Sequence, residues 1–278
     1  MSPIATGTGR AAASPAPPGP DPSPGEVVAA LRAAACVFAE EEARLLRAAA
    51  PPGGLAALVR RRAAGEPLEQ VVGWAEFCGL RIAVAPGVFV PRRRTEILVR
   101  RAAARAAPGA IVADLCCGSG ALGLALYTLL RRAGRPPAAL HAADLDPAAV
   151  RCARRNLAPV GGRVHQGDLY AALPGALRGR IGVLLANVPY VPSAEIALLP
   201  AEAREHEPRA ALDGGADGLD VLRRVAAGAA EWLAPDGLLF FETTRGQLPA
   251  AKAALGAAGL RHRHLSSEAA TTLVATPA

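Results

Sequence analysis

The residues with the clearest chemical potential form the stretch Val183–Tyr190, which has the sequence VLLANVPY. Its apolar part has the length of a buried parallel strand, and the proline that follows Asn187 prevents that strand from continuing. The pattern predicts an amide, backbone carbonyls, a rigid turn and an aromatic ring at the carboxyl end of a strand, where open α/β sheets bind ligands. Asn and Pro are also common at ordinary strand exits, so the stretch alone leaves both interpretations open.

The chemistry that needs this arrangement is reaction at a planar nitrogen. The nitrogen of a primary amide or an exocyclic base amine is a poor nucleophile because its lone pair is delocalised. The side-chain oxygen of Asn187 and the carbonyl of Val188 can accept its two N–H groups and turn the lone pair towards an electrophile. Pro189 stiffens the turn, and the ring of Tyr190 can cover the planar group. We predict that the four residues bind substrate and that Asn187, Pro189 and Tyr190 are catalytic by positioning.

Polar residues also follow three other predicted strands. After the strand at 111–115, Gly118 and Gly120 allow a ligand to approach the backbone in front of a helix amino terminus. Asp144 ends the second strand, where a carboxylate can accept both hydroxyls of a ribose, and Asp168 ends the third, placed for an adenine amino group. The sequence has no P-loop with its lysine. The pattern favours S-adenosylmethionine as the cofactor.

The elements that carry these residues alternate between strand and helix from residue 110 onward. Such alternation predicts a doubly wound α/β sheet covered by helices on both faces. The predicted strands are 111–115, 140–143, 163–166, 181–186, 237–242, 260–265 and 271–275. The predicted helices among them are 121–132, 147–157, 219–233 and 248–258.

The chain upstream of the sheet is predicted to contain a tail and a small helical region. Residues 1–25 are rich in Ala, Pro, Gly and Ser and are predicted to be a disordered tail. Val27, Leu31 and Phe38 recur at helical spacing and predict one amphipathic helix from 26 to 49. A shorter helix at 55–64 completes a helical cap domain, 26–65.

The helical cap is followed by a hairpin linker, 66–96, and by the sheet domain, 97–278. Apolar residues between 77 and 90, interrupted by glycine and proline, predict the hairpin. Thr95 is predicted to cap a helix running through Leu98 to Ala107.

Composition bounds the class of protein. With 51% hydrophobic and 20% charged residues the chain is globular. Its five cysteines are an odd number without a C-x-x-C pair, so neither a disulfide framework nor a metal site is predicted. The sequence shows no signal peptide and no membrane span, and a cytoplasmic protein is expected. The net charge of +7 comes almost wholly from arginines spread along the chain, including Arg92-Arg93-Arg94, and these are predicted to be solvated surface.

Taken together, the motifs resemble those of the protein-(glutamine-N5) methyltransferases, S-adenosylmethionine enzymes of class I that modify the Gly-Gly-Gln glutamine of peptide-chain release factors. The resemblance spans residues 66 to 248. The motifs that carry it are Glu66-Pro67-Leu68, Pro86-Gly87-Val88, Pro91-Arg92, Thr95-Glu96, Gly118-Ser119-Gly120, Asp144-Leu145-Asp146-Pro147, Gln166-Gly167-Asp168-Leu169, Asn187-Val188-Pro189-Tyr190, Glu207-Pro208-Arg209, Leu212-Asp213-Gly214-Gly215, Asp217-Gly218-Leu219 and Glu242.

The resemblance implies a Rossmann-like methyltransferase sheet with a small amino-terminal helical domain and a linking β-hairpin. It also implies that Asn187 and the following backbone grip the target amide of a release factor. The residues it implies around the cofactor are Cys116, Cys117, Gly118, Ser119, Gly120, Asp144, Leu169 and Asn187, beside Asp168, which its strand-end position already predicts there. The loop 192–218 is expected to close over the site, with Glu207 and its neighbouring acids on the lid surface.

Three features depart from the family pattern. Val188 replaces the first proline of Asn-Pro-Pro-Tyr, Cys116 replaces the first glycine of the cofactor loop, and residues 266–278 lack the usual arginine-containing finish. Two alternatives to the glutamine enzyme stay open. One is a nucleic-acid amine methyltransferase, disfavoured because no aromatic stacking platform accompanies the arginines. The other is a non-catalytic S-adenosylmethionine-binding interaction protein.

Overall fold

The computed structural model describes residues 21–266 and 271–278. Most of the predicted disordered tail, residues 1–20, lies outside the described residues. The prediction that this tail reaches residue 25 is wrong, because a helix begins at Pro24. The chain forms two compact units, which divide between Ala63 and Ala64. The predicted hairpin linker and sheet domain both fall within the second unit.

The first unit contains three helices, α1 (Pro24–Ala33), α2 (Ala39–Ala49) and α3 (Leu55–Ala63). The first of them begins with a capping box, in which the side chain of Ser23 and that of Glu26 each bond the other residue's backbone N–H. All three helices contact one another.

The single helix predicted from 26 to 49 is wrong. The helix ends after Ala33, and the chain turns with Ala35 at φ 59° and with the Cys36 N–H bonded to the Leu31 carbonyl. An unbroken helix of that length would extend about 36 Å, beyond any partner in so small a unit. The turn instead lets α1 and α2 cover each other's apolar faces. Phe38, predicted to lie on the apolar face, is 68% exposed beside the turn.

The second unit contains a small hairpin and a large sheet with helices on both faces. Its helices are α4 (Leu68–Val72), α5 (Glu96–Ala103), α6 (Ala121–Arg132), α7 (Pro147–Leu157), α8 (Ala201–His206), α9 (Arg209–Leu212), α10 (Asp220–Trp232) and α11 (Leu248–Ala257). Its strands are β1 (Trp74–Phe77), β2 (Leu80–Ala83), β3 (Ile111–Leu115), β4 (Ala139–Asp144), β5 (Arg163–Gln166), β6 (Ile181–Ala186), β7 (Leu233–Thr243), β8 (Leu260–Ser266) and β9 (Thr271–Pro277).

The large sheet has seven strands in the order β5-β4-β3-β6-β7-β9-β8. Strands β3 to β7 pair in parallel, and β9 pairs antiparallel with both β7 and β8. Alternate residues of β6 enter different cores, Leu184 and Ala186 on one face and Val183 and Leu185 on the other. The predicted doubly wound α/β fold is therefore confirmed.

The register aligns the carboxyl ends of the central strands. Leu115 of β3 pairs with both Ala143 of β4 and Ala186 of β6, and Ala186 pairs with Phe241 of β7. The residues that follow these pairs are therefore brought to one edge of the sheet, although they come from distant parts of the chain.

Thr95 occupies the predicted N-cap position of α5. Thr95 closes a short 3-10 turn, Arg93–Thr95, and its side chain makes no capping hydrogen bond to α5. The residue is 2% exposed. The helix begins at Glu96, directly after this cap position, and ends at Ala103, before the predicted end at Ala107. Among the helices in 21–266 and 271–278, none combines the length and apolar character needed to cross a membrane.

Candidate active site

A cavity of about 1210 Å³ opens over the carboxyl ends of β3, β4, β6 and β7. Its wall includes every predicted site residue except Gly120. Gly120, at φ 76°, instead packs on α7, where an added Cβ would lie 3.2 Å from Leu157 Cγ and 3.3 Å from Ala153 Cβ. Its role in this structure is to allow the close approach of α6 and α7.

The loop between β3 and α6 forms one wall of the cavity. Gly118 has φ 53°, and a Cβ built there would meet no atom within 4 Å, so the loop leaves space for a ligand. The Gly118 N–H donates to Asp144 Oδ2 at 2.8 Å, and the Asp146 N–H donates to Asp144 Oδ1 at 2.9 Å. Cys116 also adopts a positive φ of 54°, a conformation that favours the glycine found in the family pattern.

The remaining members of this loop are fixed from behind. The Cys117 N–H donates to the Ala143 carbonyl at 3.1 Å, and the buried Ser119 offers its carbonyl to Asn156 Nδ2 at 2.8 Å. These bonds tie the loop to β4 and α7, so its cavity-facing backbone is held in one position.

Burial controls the charge of the carboxylates around the loop. Burial raises the pKa of Asp144 above its ordinary value, although backbone N–H groups of Asp146 and Gly118 oppose that shift. Asp114, inside β3, is 1% exposed, and burial raises its pKa to about 8. Asp114 Oδ2 accepts the Gly123 N–H at 2.9 Å, so this acid anchors α6 and does not line the cavity.

Asp168 and Leu169 form the wall beyond β5. The Asp168 carboxylate is about half exposed and pairs with the Arg224 guanidinium. Leu169 has φ 46° and is 9% exposed. A ligand that bonds Asp168 therefore meets a carboxylate whose charge is already partly compensated by an arginine.

The turn after β6 forms the opposite wall. Asn187 is partly exposed, and its Oδ1 atom is buried without a hydrogen-bond partner. Val188 is 3% exposed in the core beneath the sheet. Gln247 Nε2 donates to the Tyr190 carbonyl at 2.7 Å, which anchors the exit of the turn. The structure thus brings the predicted substrate residues and the predicted cofactor loop to the same cavity.

A triad of Arg94, Tyr190 and Glu242 lies in the same cavity. Arg94 Nη2 donates to the Tyr190 hydroxyl at 2.6 Å, and Arg94 Nε donates to Glu242 Oε1 at 3.2 Å. Burial, reinforced by the Glu242 carboxylate, raises the pKa of the Tyr190 hydroxyl. The roles of Arg94 and Glu242 were not predicted. The available signal was that Glu242 ends a predicted strand, as Asn187 does.

Of two predictions about charged surface residues, that for Glu207 is wrong and that for the arginine run holds only in part. Glu207 is 6% exposed and is no part of a lid surface. Its Oε1 accepts the Val90 N–H at 3.1 Å, and its Oε2 accepts Arg92 Nη2 at 2.6 Å. Arg92 and Arg94 are accordingly held in ion pairs within the cavity wall, so this part of the arginine run is not merely solvated. The physical reason is that distant carboxylates become neighbours only in the fold.

The segment from 193 to 212 forms a further part of the cavity wall. It contains the 3-10 helix Ser193–Leu198 and the helices α8 and α9. Leu198 is 81% exposed and lines the cavity. Within the ranges that the structure describes, no group of three or more His, Cys, Asp or Glu side chains is arranged to hold a metal ion.

The chain is similar to known methyltransferases. Residues 79–199 match the family described as "Methyltransferase small domain". A release factor glutamine methyltransferase of Geobacter sulfurreducens is 41% identical over 67% of this chain, which covers 64% of the relative's length, just under two thirds. One of Moorella thermoacetica is 42% identical over 69% of this chain and 67% of the relative.

A relative with another name is similar over a larger share of the chain. The 4-amino-L-phenylalanine/4-methylamino-L-phenylalanine methyltransferase of Streptomyces pristinaespiralis is 40% identical over 75% of this chain and 71% of its own length. Among solved structures, a ribosomal protein L11 methylase of Lactobacillus delbrueckii subsp. bulgaricus shares the fold, with 19% identity, a TM-score of 0.51 and coverage of 70% of this chain and 84% of that one. By its similarity to the release factor glutamine methyltransferases, the chain belongs to the protein-(glutamine-N5) methyltransferase family of S-adenosylmethionine-dependent enzymes.

Proposed function

We propose that the protein methylates the side-chain amide nitrogen of a protein glutamine, the Gly-Gly-Gln glutamine of a peptide-chain release factor. The observation that carries this proposal is the orphan Asn187 Oδ1 atom, buried at a strand end in the same cavity as the cofactor loop. A buried acceptor without a partner is costly, and a primary amide brings the N–H that would satisfy it. A release factor acts in translation, so this substrate also agrees with the cytoplasmic location expected from the sequence.

The residues around the β3–α6 loop fit S-adenosylmethionine. Gly118 leaves open space where a side chain would stand, and the adjoining α6 begins with the partial positive charge of a helix amino terminus. Gly118, Asp144 and Leu169 would hold the nucleoside portion, and Asp168 would lie near the base. When bound, this cofactor supplies an electrophilic methyl group on a sulfonium.

The chain's own residues position the target nitrogen and shield the reacting groups from water. Asn187 Oδ1 and the Val188 carbonyl accept the N–H groups of the target nitrogen and orient its lone pair, a positioning effect. Pro189 fixes the turn that presents them, and the Tyr190 ring, held by Arg94, covers the planar group. The 193–212 segment completes the cavity wall, and a site shielded from water favours a reaction that neutralises charge.

The test is methyl transfer to purified release factors, with intact-mass measurement and peptide mapping of the product. We expect one added methyl on the Gly-Gly-Gln glutamine. Absence of transfer to release factors, with the cofactor still bound, would reject this substrate and retain the family assignment.

A second candidate substrate is the aryl amine of a free amino acid. The Streptomyces pristinaespiralis relative named for 4-amino-L-phenylalanine aligns with 75% of this chain, a larger share than either release factor relative described above. An aryl amine, like a carboxamide, is a planar –NH2 group with a delocalised lone pair, so the same acceptors would serve. Assay of 4-amino-L-phenylalanine beside the release factors separates the two candidates.

Nucleic acid is the less favoured substrate. Arg92 and Arg94, two of the arginines that line the cavity, are ion-paired with Glu207 and Glu242. Their positive charge is therefore largely compensated within the protein, so they attract a phosphate backbone only weakly.

A further inference from the structure

Three buried side-chain atoms in the described part of the chain lack a hydrogen-bond partner, namely Asn187 Oδ1, Glu242 Oε2 and Thr272 Oγ1. Their residues lie in a row across the sheet. Ala186 pairs with Phe241, so Asn187 and Glu242 are the next residues on neighbouring strands, and Glu242 pairs directly with Thr272. Neighbouring strands lie about 4.8 Å apart, and paired residues point to the same face. The row is therefore a continuous polar strip.

Glu242 is the fixed centre of this strip. Its Oε1 atom accepts from Arg94 Nε at 3.2 Å and from the Tyr190 hydroxyl at 3.4 Å, which leaves Oε2 for another donor. The residue is 4% exposed and belongs to the cavity wall. A buried carboxylate oxygen without a hydrogen-bond donor costs free energy. Because this oxygen belongs to a residue of the cavity wall, we infer that a ligand N–H or O–H donates to it.

The charge and depth of Glu242 indicate which donor it takes. Arg94 compensates the charge of the Glu242 carboxylate. Because the Arg94–Glu242 pair has no net charge, it suits a neutral donor better than an ammonium group. Glu242 is also more deeply buried than Asn187. The deepest part of a bound substrate is its reacting end, because a peptide backbone must stay near the cavity mouth. A neutral –NH2 group meets both conditions.

We propose that Glu242 is a substrate-binding residue whose Oε2 atom accepts one N–H of the target –NH2 group, while Asn187 Oδ1 accepts the other. The Val188 carbonyl, predicted from the sequence as the second acceptor, shares the N–H held by Glu242. Arg94 and Tyr190 are positioning residues that keep Oε2 turned to the cavity. Glu242 thereby selects a neutral primary nitrogen over a substituted one. This inference rests on the proposed function, because it assigns a role within the same site.

The experiment measures binding, not turnover. A Gly-Gly-Gln peptide and the same peptide with N5-methylglutamine, which has one N–H fewer, are titrated calorimetrically into full-length protein saturated with S-adenosylhomocysteine. We expect the wild type to prefer the unmethylated peptide. In Glu242→Gln the side-chain –NH2 donor must face either the target –NH2 group or the Arg94 guanidinium, which are both donors, so we expect affinity for the unmethylated peptide to fall by about tenfold or more. Affinity for the methylated peptide should change little, so the preference disappears.

A matched control separates this effect from loss of structure. Glu96 is also bonded to an arginine, Arg100, and to a backbone N–H, but it does not line the cavity, so Glu96→Gln should keep the wild-type preference. A second variant, Arg94→Gln, changes a half-exposed residue and should weaken the preference without unfolding the protein. If Glu242 had only a structural role, Glu242→Gln would weaken the binding of both peptides equally.

Each outcome decides between the two proposals. Retention of the wild-type preference in Glu242→Gln would overturn the assignment of Glu242 and leave the proposed function intact. If the wild type binds neither peptide, the protein-glutamine proposal fails. The same titrations with 4-amino-L-phenylalanine and its 4-methylamino form then test Glu242, and failure of the wild type to bind these as well overturns the inference.

Discussion

Gly214 packs so closely against the Pro189 carbonyl that a Cβ atom at position 214 would lie 2.7 Å from that oxygen. The same atom would lie 2.6 Å from the Gly218 carbonyl oxygen. The Gly214 N–H also donates to the Val191 carbonyl at 2.9 Å. The loop that carries the Leu-Asp-Gly-Gly motif is therefore a backbone support for the turn that presents Asn187, and a side chain at Gly214 would move one or the other.

We expect Gly214→Ala to lower the rate of methyl transfer by about a hundredfold, since small displacements of positioning groups have effects of that size. Cofactor affinity, measured by calorimetry, should change much less, because the β3–α6 loop is untouched. Gly256→Ala is the matched control, as a Cβ there meets no atom within 4 Å and the residue lies in α11. It should keep full activity and gain about 0.5–1 kcal/mol of stability. Equal activity in the two variants would contradict the supporting role of Gly214.

Asn187→Ala removes the orphan acceptor at the end of β6. We expect the rate of methyl transfer to fall below about 1% of wild type, because the target nitrogen is no longer held with its lone pair aligned. Much of the affinity for S-adenosylmethionine should remain, since the β3–α6 loop and Asp144 are unchanged. Equal transfer rates in wild type and variant would remove Asn187 from the mechanism.

Glu207→Gln tests the buried ion pair with Arg92. The substitution keeps an acceptor for the Val90 N–H but removes the charge that binds Arg92. We expect a loss of about 1–3 kcal/mol in the free energy of unfolding, seen as a lower melting temperature by about 2–4 °C per kcal/mol. Glu205→Gln, in an exposed pair with Arg204, should leave the melting temperature nearly unchanged. An equal change of melting temperature in both variants would show that burial of the Glu207 ion pair adds nothing to stability.

Asp114 should make stability depend on pH. Burial raises its pKa to about 8 in the folded protein, whereas an unfolded Asp titrates near pH 3.9. Between these values the folded state binds the extra proton, so the contribution of Asp114 is complete below about pH 4 and is lost as pH rises towards 8. We expect the urea midpoint of wild type to fall from pH 5.5 to pH 8, and the fall to be smaller in Asp114→Asn. An identical fall in both proteins would assign the pH dependence to other groups.

The sequence was sufficient for the order of the seven sheet strands and of the four predicted helices among them, whereas the predicted loop 192–218 contains α8 and α9. Apolar runs bounded by glycine, proline and acidic residues predicted β3, β4, β5 and β6 to within about one residue, because that pattern is local. The turn at Asn187 and the loop at Gly118 could be predicted as well, since each is defined by residue types a few positions apart. The structure places them at the same edge of the sheet, as a parallel arrangement requires.

The tertiary structure decided what distant residues do to one another. The break between α1 and α2 depends on packing within a small unit, and no single residue in the predicted helix marked it. Arg94 and Glu242 lie 148 residues apart in the chain, and Arg92 and Glu207 lie 115 apart. Strand order and loop packing make each pair neighbours and bury both carboxylates. Charge in a sequence therefore predicted surface, whereas the fold turned part of it into the wall of the active site.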